Sequence, residues 1–395
     1  MDLLKNLIFI NTPPENFKDI NKNWKEITKP LENAKEKPLR FLRYYIMANY
    51  AITDKYSKDG VIREEQIYDW FKDNNALCHY EENPDDFIKN IKSNVDKYIN
   101  FIEGKDKDGQ ENRYLHEFQS FCGGGFSLHF IVLLSAINLP ENLFNHLVKQ
   151  LETVILYYII TKTSTKELEI KFAKWATKIK KITLIEDLNT QTDEFNKFIR
   201  EEFFPIVEDK KEEYKNYFNI CALNSLQKYR IKYILSKIAQ YIDNFIIGLS
   251  NQPYNIDSYL KLEIEHILPN TEKEEVANDF YKNSEIPETK ENKEYQKYKL
   301  KLGNLTLLEK PLNIVAGCNV LKLKEQPYLN SHTYLTSSII KLKDIGSSNS
   351  SVDKINKKLK SYDKLLWNDK NINDRQQKLY ELSKDIWKVE EYIKK

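Results

Sequence analysis

The chain contains 395 residues, which is enough for two or three ordinary domains, each able to bury its own core. Its formal net charge of only +2 excludes a polycation that binds every nucleic acid indiscriminately. The four cysteines form no C-x-x-C pair, which disfavours a zinc knuckle and a disulfide framework, and the start of the chain has no signal-peptide pattern, so we expect a cytoplasmic protein.

The first 252 residues have the periodicity of amphipathic helices. Gly and Pro are scarce, at 10 and 12 residues, which favours long packed helices over a many-turned β architecture. We predict a helical domain over residues 1–150 and a helical spacer or bundle over residues 151–252. The most apolar stretch, residues 126–139, is shorter than the roughly 20 residues of a membrane-spanning helix, so we expect buried core there and no membrane partner.

Residues 171–181 predict an amphipathic helix with a basic face. Four lysines lie at helical spacing around Phe172, Trp175 and Ile179, and they are Lys171, Lys174, Lys178 and Lys181. Two interpretations stay open for this face: a solvated outer surface of a bundle helix, or a surface that contacts phosphates of a nucleic acid.

Residues 248–253, with the sequence G-L-S-N-Q-P, interrupt the helical periodicity. A third domain is therefore predicted over residues 253–395, and residues 346–351 are interpreted as a short linker before a final helical element. The predicted fold class is mainly α (α+β), with an N-terminal helical bundle followed by a domain that contains strands.

Two short strands are predicted in the third domain. Residues 262–269, L-E-I-E-H-I-L-P, form an apolar strand pattern that ends on Glu265 and His266 before Pro269 stops it. Residues 302–308, L-G-N-L-T-L-L, predict a second strand entered through Gly303 and Asn304. A turn thus leads into a second strand about forty residues after the first.

A helix is predicted after the second strand. Asn313 begins a segment, residues 313–325, that we predict to be one helix carrying Asn319, Lys322 and Lys324. Strand, strand and helix is the order expected of a compact metal-dependent nuclease unit.

The residue types in this region suit phosphodiester hydrolysis. The reaction needs a base that deprotonates water, a divalent cation that offsets charge, and rigid alignment of both. His266 has an ordinary pKa near 6.5 and is neutral at cytoplasmic pH. Glu265 and Asn313 offer hard oxygen ligands that suit Mg²⁺ or Mn²⁺. Neighbours in a strand face opposite sides, so Glu265 and His266 can share one site only if the strand twists or ends there.

These motifs resemble the HNH, or ββα-metal, nuclease family, and the spacing from Asn304 to Asn313 is like that in the HNH domains of CRISPR effectors. The ordered set E-H-I-L-P, G-N-L-T-L-L and L-N is similar to the C-terminal nuclease domain of GmrSD-type type IV restriction enzymes. The resemblance covers roughly residues 255–390 and includes a tail pattern made of Trp367, Ile372, Arg375, Leu379 and Trp387.

The resemblance implies a role for each site residue. It makes His266 the general base, gives one Mg²⁺ or Mn²⁺ to Glu265 and Asn313, and assigns Asn304 to bracing the loop by hydrogen bonds. The sequence has Glu where many HNH domains have Asp, and Asn where several have a third His, so the metal position can differ.

Accessory roles are less sharply defined. Asn319 is a candidate extra ligand, or an ordinary helix-surface residue, and Lys322 or Lys324 could steady a phosphate oxygen. Arg375 could form a structural ion pair or contact a DNA phosphate. Trp367 and Trp387 are interpreted as hydrophobic anchors of the tail, with base stacking as the alternative.

The resemblance implies a metal-dependent endonuclease of a restriction or phage-defence system that acts on foreign or modified DNA. Relatives carry or pair with a nucleotide-hydrolysing module marked by D-G-Q-Q-R, whereas residues 108–112 here are D-G-Q-E-N. A separate nucleotide-hydrolysing partner is therefore expected, unless the chain is a fragment or works without nucleotide. Two other functions stay open: a helical scaffold with a degenerate nuclease domain, and an HNH nuclease that acts on RNA.

Overall fold

The computed structural model describes residues 2–247, 255–286, 293–344, 347, 350–362 and 366–391. Helices make up most of this part of the chain, and its only sheet has two strands. The predicted mainly α fold is confirmed. No helix in the described ranges is both long enough and apolar enough to cross a membrane.

The chain divides into two compact units, Met1–Asp209 with Val389–Lys395, and Lys210–Lys388. The boundary predicted near residue 150 does not coincide with this division, because a single helix, Glu141–Ile160, runs through it and is buried along most of its length. The predicted break at residues 248–253 lies outside the described residues. So does part of the predicted linker at residues 346–351, although the Ser350 hydroxyl caps the helix that follows by accepting from the Asp353 main-chain N–H.

The first unit consists mainly of helices joined by turns and loops. A π-helical turn, Ile199–Phe203, joins its last two helices. The α-helices are α1 Asp2–Ile10, α2 Phe17–Asn33, α3 Pro38–Asn49, α4 Ile67–Asp73, α5 Asn75–Cys78, α6 Pro84–Ile102, α7 Arg113–Cys122, α8 Phe130–Ser135, α9 Glu141–Ile160, α10 Thr165–Ile182, α11 Leu188–Phe198 and α12 Phe204–Asp209.

The predicted amphipathic helix at residues 171–181 lies within α10. Its apolar side is buried in the first unit through Phe172, Trp175 and Ile179. On the polar side, the Lys178 ammonium pairs with the Glu202 carboxylate, which also accepts a hydrogen bond from the Trp175 indole. Glu202 thus neutralises part of the basic face.

In the second unit, helices surround a two-stranded antiparallel sheet. The sheet consists of β1 Glu263–His266 and β2 Leu305–Leu308, with Glu263 opposite Leu308 and His266 opposite Leu305. All four β2 residues are buried. The α-helices are α13 Lys211–Ile220, α14 Lys228–Ile247, α15 Asp257–Leu260, α16 Glu274–Lys282, α17 Lys293–Tyr298, α18 Lys310–Ala316, α19 Glu325–Leu329, α20 Tyr334–Ser337, α21 Ser351–Asn356 and α22 Asp369–Ile386.

The turn before β2 packs directly against the backbone of α22. A Cβ atom at Gly303 would lie 2.2 Å from the Ile372 carbonyl oxygen, so only glycine fits this approach. The Gln376 side chain accepts from the Gly303 N–H at 2.7 Å and donates to the carbonyls of Phe218 and Cys221. The helix α22 therefore fixes the turn and also connects α13 to the two-stranded sheet.

The prediction of a continuous helix over residues 313–325 is wrong. α18 ends at Ala316 because Gly317 has φ +52°, in the left-handed region that favours glycine. The Asn319 side chain then donates to the Ala316 carbonyl at 2.9 Å. A 3-10 turn, Leu321–Lys324, and α19 follow, so Asn313 and Lys324 lie on different elements.

Candidate active site

His266 is the last residue of β1 and is half-buried. Its Nδ1 lies 2.9 Å from the Lys299 carbonyl oxygen. Because a carbonyl only accepts, Nδ1 carries the proton of the neutral ring and Nε2 keeps a lone pair. Burial lowers the pKa of His266, and the hydrogen bond to Lys299 opposes that shift in part. The main chain therefore sets the tautomer of the neutral ring.

Asn304 is completely buried, and its carboxamide makes four hydrogen bonds. Its oxygen accepts from the Leu268 N–H at 2.6 Å and from the Trp367 indole at 2.7 Å. Its amide nitrogen donates to the Leu268 carbonyl at 2.9 Å and to the Lys299 carbonyl at 2.8 Å. Asn304 thus closes the loop after β1 and shares the Lys299 carbonyl with His266.

Glu265 is buried and holds a buried lysine. Its Oε1 accepts from the Lys324 ammonium at 2.6 Å and from the Tyr328 hydroxyl at 2.9 Å. The same ammonium lies 2.7 Å from the His266 carbonyl oxygen and 3.3 Å from that of Ile267. Burial lowers the pKa of Lys324, and the Glu265 carboxylate opposes the shift. Lys324 is therefore an internal cation rather than a surface contact for phosphate.

Asn313 contacts the carboxylate of Glu263, whereas the sequence predicts that it shares a cation with Glu265. Its amide nitrogen donates to Glu263 Oε2 at 2.6 Å, and both residues are half-buried. Glu263 and Glu265 lie on the same face of β1, because alternate residues of a strand do. The structure thus brings Asn313 to the carboxylate face of β1, but its contact is with Glu263. A cation shared by Glu265 and Asn313 stays a prediction.

Of the remaining predicted residues, Trp367 donates to Asn304, and the others lie apart from this cluster or bond to the main chain. Arg375 is buried and donates to the carbonyls of Gly303 and Leu305, at 2.9 and 2.6 Å, and burial lowers its pKa to about 10. No carboxylate in the described ranges pairs with it, so neither the predicted ion pair nor the DNA contact describes its position. Asn319 caps α18, and Lys322 is exposed. Trp367 and Trp387 are both buried.

Three groups of the site are not predicted by the sequence motifs: Glu263, Tyr328 and the Lys299 carbonyl. The period of two along a strand could have identified Glu263, since it stands two residues before Glu265. Nothing in the sequence pattern singles out Tyr328 or Lys299, because their roles arise from contacts 63 and 33 residues away along the chain.

The donor set near His266 can be compared with what a divalent cation requires. Within the described part of the chain, no three His, Cys, Asp or Glu side chains are grouped to hold a metal ion. Mg²⁺, however, is commonly held by one or two carboxylates, with water and substrate phosphate completing its shell. Glu263, Asn313 and the second oxygen of Glu265, to which no donor among the described residues bonds, are hard oxygen donors on one face of β1. Their chemistry fits such a cation.

Comparison with known families places these residues in one domain. Residues 208–382 match the family described as GmrSD restriction endonucleases, C-terminal domain. The match spans nearly all of the second unit, Lys210–Lys388, and contains the whole site. A search of curated proteins found no match.

Proposed function

Residues 208–382 match the C-terminal domain of GmrSD restriction endonucleases, and from this premise we propose that the chain is a metal-dependent endonuclease of the HNH type that hydrolyses phosphodiester bonds in foreign or modified DNA. The single observation that carries the proposal is the state of His266. Its proton is fixed on Nδ1 by the Lys299 carbonyl, and Nε2 has no hydrogen-bond partner among the described residues.

His266 would act as the general base. Nε2 would take a proton from a water molecule as the water oxygen forms a bond to phosphorus and the bond from phosphorus to the leaving oxygen breaks. Lowering the pKa of the ring keeps it neutral near pH 7, so it is ready to accept that proton. Asn304 would hold the Lys299 carbonyl in place and thereby preserve the tautomer.

A divalent cation, when bound, would offset the negative charge of the phosphate and of the leaving oxygen. Glu265 and Asn313 would hold it, with Glu263 as a further oxygen donor. We propose Mg²⁺ or Mn²⁺, because carboxylate and carboxamide oxygens are the ligands these ions prefer.

The proposal extends to partners. DNA would be the substrate, and a separate nucleotide-hydrolysing subunit would supply the module that residues 108–112 do not. In the structure this segment forms a turn in which the Asp106 carboxylate accepts from the main-chain N–H groups of Asp108 and Gln110, at 2.9 Å each. These bonds stabilise the turn locally and require no nucleotide.

Comparing DNA cleavage by the His266→Ala variant and by the wild type tests the proposal. Plasmid DNA would be incubated with the full chain and Mg²⁺ or Mn²⁺, with and without nucleoside triphosphates, and we expect the variant to lose about 10²- to 10⁴-fold in rate. The matched control is His332→Ala, since His332 also lies in the second unit but is 91% exposed and paired with Glu309. Circular dichroism would verify folding of both variants. Cleavage by His266→Ala at the wild-type rate refutes the role.

One observation favours a second candidate function, a scaffold with a degenerate nuclease domain. The Glu265 carboxylate is already neutralised by Lys324, 2.6 Å away, which weakens its attraction for a second cation. Calorimetry with Mg²⁺ and Mn²⁺ separates the two functions. Binding in the millimolar range or tighter supports the nuclease, and no binding even with DNA present supports the scaffold. Matched DNA and RNA duplexes in the cleavage assay would identify the polymer that is cut.

A further inference from the structure

Lys324 is the most fully buried cation of the site, with a side chain 0% exposed. Its ammonium has three protons and lies near three oxygens: Glu265 Oε1 at 2.6 Å, the His266 carbonyl at 2.7 Å and the Ile267 carbonyl at 3.3 Å. The ammonium thus has an acceptor for each proton. These acceptors belong to three successive residues at the end of β1.

Stability alone does not account for this arrangement. Removing a carboxylate and an ammonium from water costs about as much as their attraction returns, and apolar residues of the same size often stabilise a core equally well. The ion pair instead specifies geometry, because its ammonium binds two main-chain carbonyls at fixed positions. The end of β1 is therefore held by a group that specifies geometry.

The clamped segment carries the proposed base. On one side, the Ile267 N–H donates to the Asn304 carbonyl at 3.0 Å. On the other, Lys324 holds the carbonyls of His266 and Ile267. With the main chain fixed from both sides, the imidazole reaches the Lys299 carbonyl through Nδ1.

We propose that Lys324 is a positioning residue for hydrolysis, whose buried ammonium fixes the main chain of His266 so that Nδ1 donates to Lys299 and Nε2 remains the base. This inference rests on the proposed function of His266. Lys324 touches neither DNA nor the attacking water, since it is fully enclosed. Tyr328 supports it by donating to the same Glu265 oxygen.

Lys324→Met is the direct test, because methionine keeps an unbranched side chain and removes the charge. We expect kcat to fall roughly 10- to 100-fold, as for a misplaced catalytic group. We expect KM for DNA to stay within about twofold, since no substrate contact is lost. The matched control is Lys322→Met, an exposed lysine of the same 3-10 turn. Any effect of this variant should be on KM.

A second readout reports on the ring itself. Nitrogen-15 chemical shifts of His266, measured at pH 8 in the full chain, distinguish the Nδ1–H tautomer from the Nε2–H tautomer. We expect the Nδ1–H form alone in the wild type and in Lys322→Met, and a mixture in Lys324→Met. A pure Nδ1–H tautomer together with wild-type kcat in Lys324→Met overturns the inference, and so does a rise in KM with unchanged kcat.

Lys324→Met leaves Glu265 as a buried, uncompensated charge, and this variant can fail to fold. The double variant Glu265→Gln, Lys324→Met removes both charges and avoids that penalty. A folded double variant with mixed tautomers supports the inference, whereas one with the pure Nδ1–H tautomer overturns it. The tautomer is measured without any cleavage reaction. A negative result there can therefore be told apart from a His266→Ala variant that keeps its activity.

Discussion

Each unit of the protein contains a histidine that is shielded from water, fully in one case and partly in the other, and the two rings are held differently. His129 in the first unit is completely buried, with the ring centroids of Phe118, Phe126 and Phe130 at 4.8, 5.7 and 4.2 Å. His266 in the second unit is half-buried at the end of a strand. Burial lowers the pKa of both rings, that of His129 to about 3.

The difference that matters for chemistry is the use of the second nitrogen. His129 Nε2 lies 3.1 Å from the Gln119 amide nitrogen, a donor, so its lone pair already accepts a hydrogen bond. In His266 the Nδ1–H donates to the Lys299 carbonyl, and the lone pair of Nε2 remains available. Burial alone therefore does not make a base. A fixed proton on one nitrogen and a lone pair on the other are both required.

The largest effect is expected from the brace around His266. Asn304→Ala would leave the main chain of Leu268, the Lys299 carbonyl and the Trp367 indole without their partner. We expect the second unit to lose about 3–5 kcal/mol of unfolding free energy, because buried polar groups without partners are costly. Hydrogen exchange, read separately for each unit, measures the loss.

Gln119→Ala is the corresponding change beside His129. It removes one hydrogen bond in the first unit, so a loss of about 1 kcal/mol is expected. If the two substitutions destabilise their units equally, Asn304 is not the brace that distinguishes the two histidines.

A smaller effect is expected from acid on the first unit. In the unfolded chain His129 protonates near its ordinary pKa of about 6.5, whereas the folded protein keeps it neutral down to about 3. The unfolded state therefore binds more protons between these values, and the free energy of unfolding falls as the pH falls, by up to about 1.4 kcal/mol per pH unit. Urea unfolding from pH 7 to pH 5 would measure this loss. His129→Phe should make the dependence shallower, and an unchanged slope in that variant would contradict the buried neutral ring.

The smallest effect is a displacement of the pH profile of cleavage. The proposed base must be neutral to act, so we expect activity to be lost as the pH falls through the pKa of His266 in the folded protein. Because burial lowers that pKa, the acidic limb of kcat/KM should lie below 6.5. Initial rates from pH 5 to pH 8 would locate it. A limb at or above 6.5 would contradict a lowered pKa of His266.

The sequence was sufficient for the local parts of the site. Alternation of apolar residues around Glu265 and His266, and the entry through Gly303 and Asn304, predicted two strands that the structure contains. The resemblance to GmrSD enzymes is confirmed by the family match. These features depend on neighbours in sequence, and periodicity describes neighbours well.

The parts that the sequence motifs do not predict depend on distant contacts. A lysine is exposed by default, but Lys324 is buried beside Glu265, 59 residues earlier, and beside the carbonyls of His266 and Ile267. The compact unit that contains the site begins at Lys210, whereas the predicted domain begins at residue 253. One reason is that Gln376 binds the carbonyls of Phe218 and Cys221, more than 150 residues away. No local pattern encodes such pairings.

Chemical rescue tests the central claim most directly. His266→Ala would be assayed on plasmid DNA with increasing imidazole at pH 8, where imidazole is neutral. If His266 Nε2 is the base, the variant is nearly inactive alone, and its rate rises with imidazole while that of the wild type does not. A variant that cuts at the wild-type rate without imidazole would contradict the account.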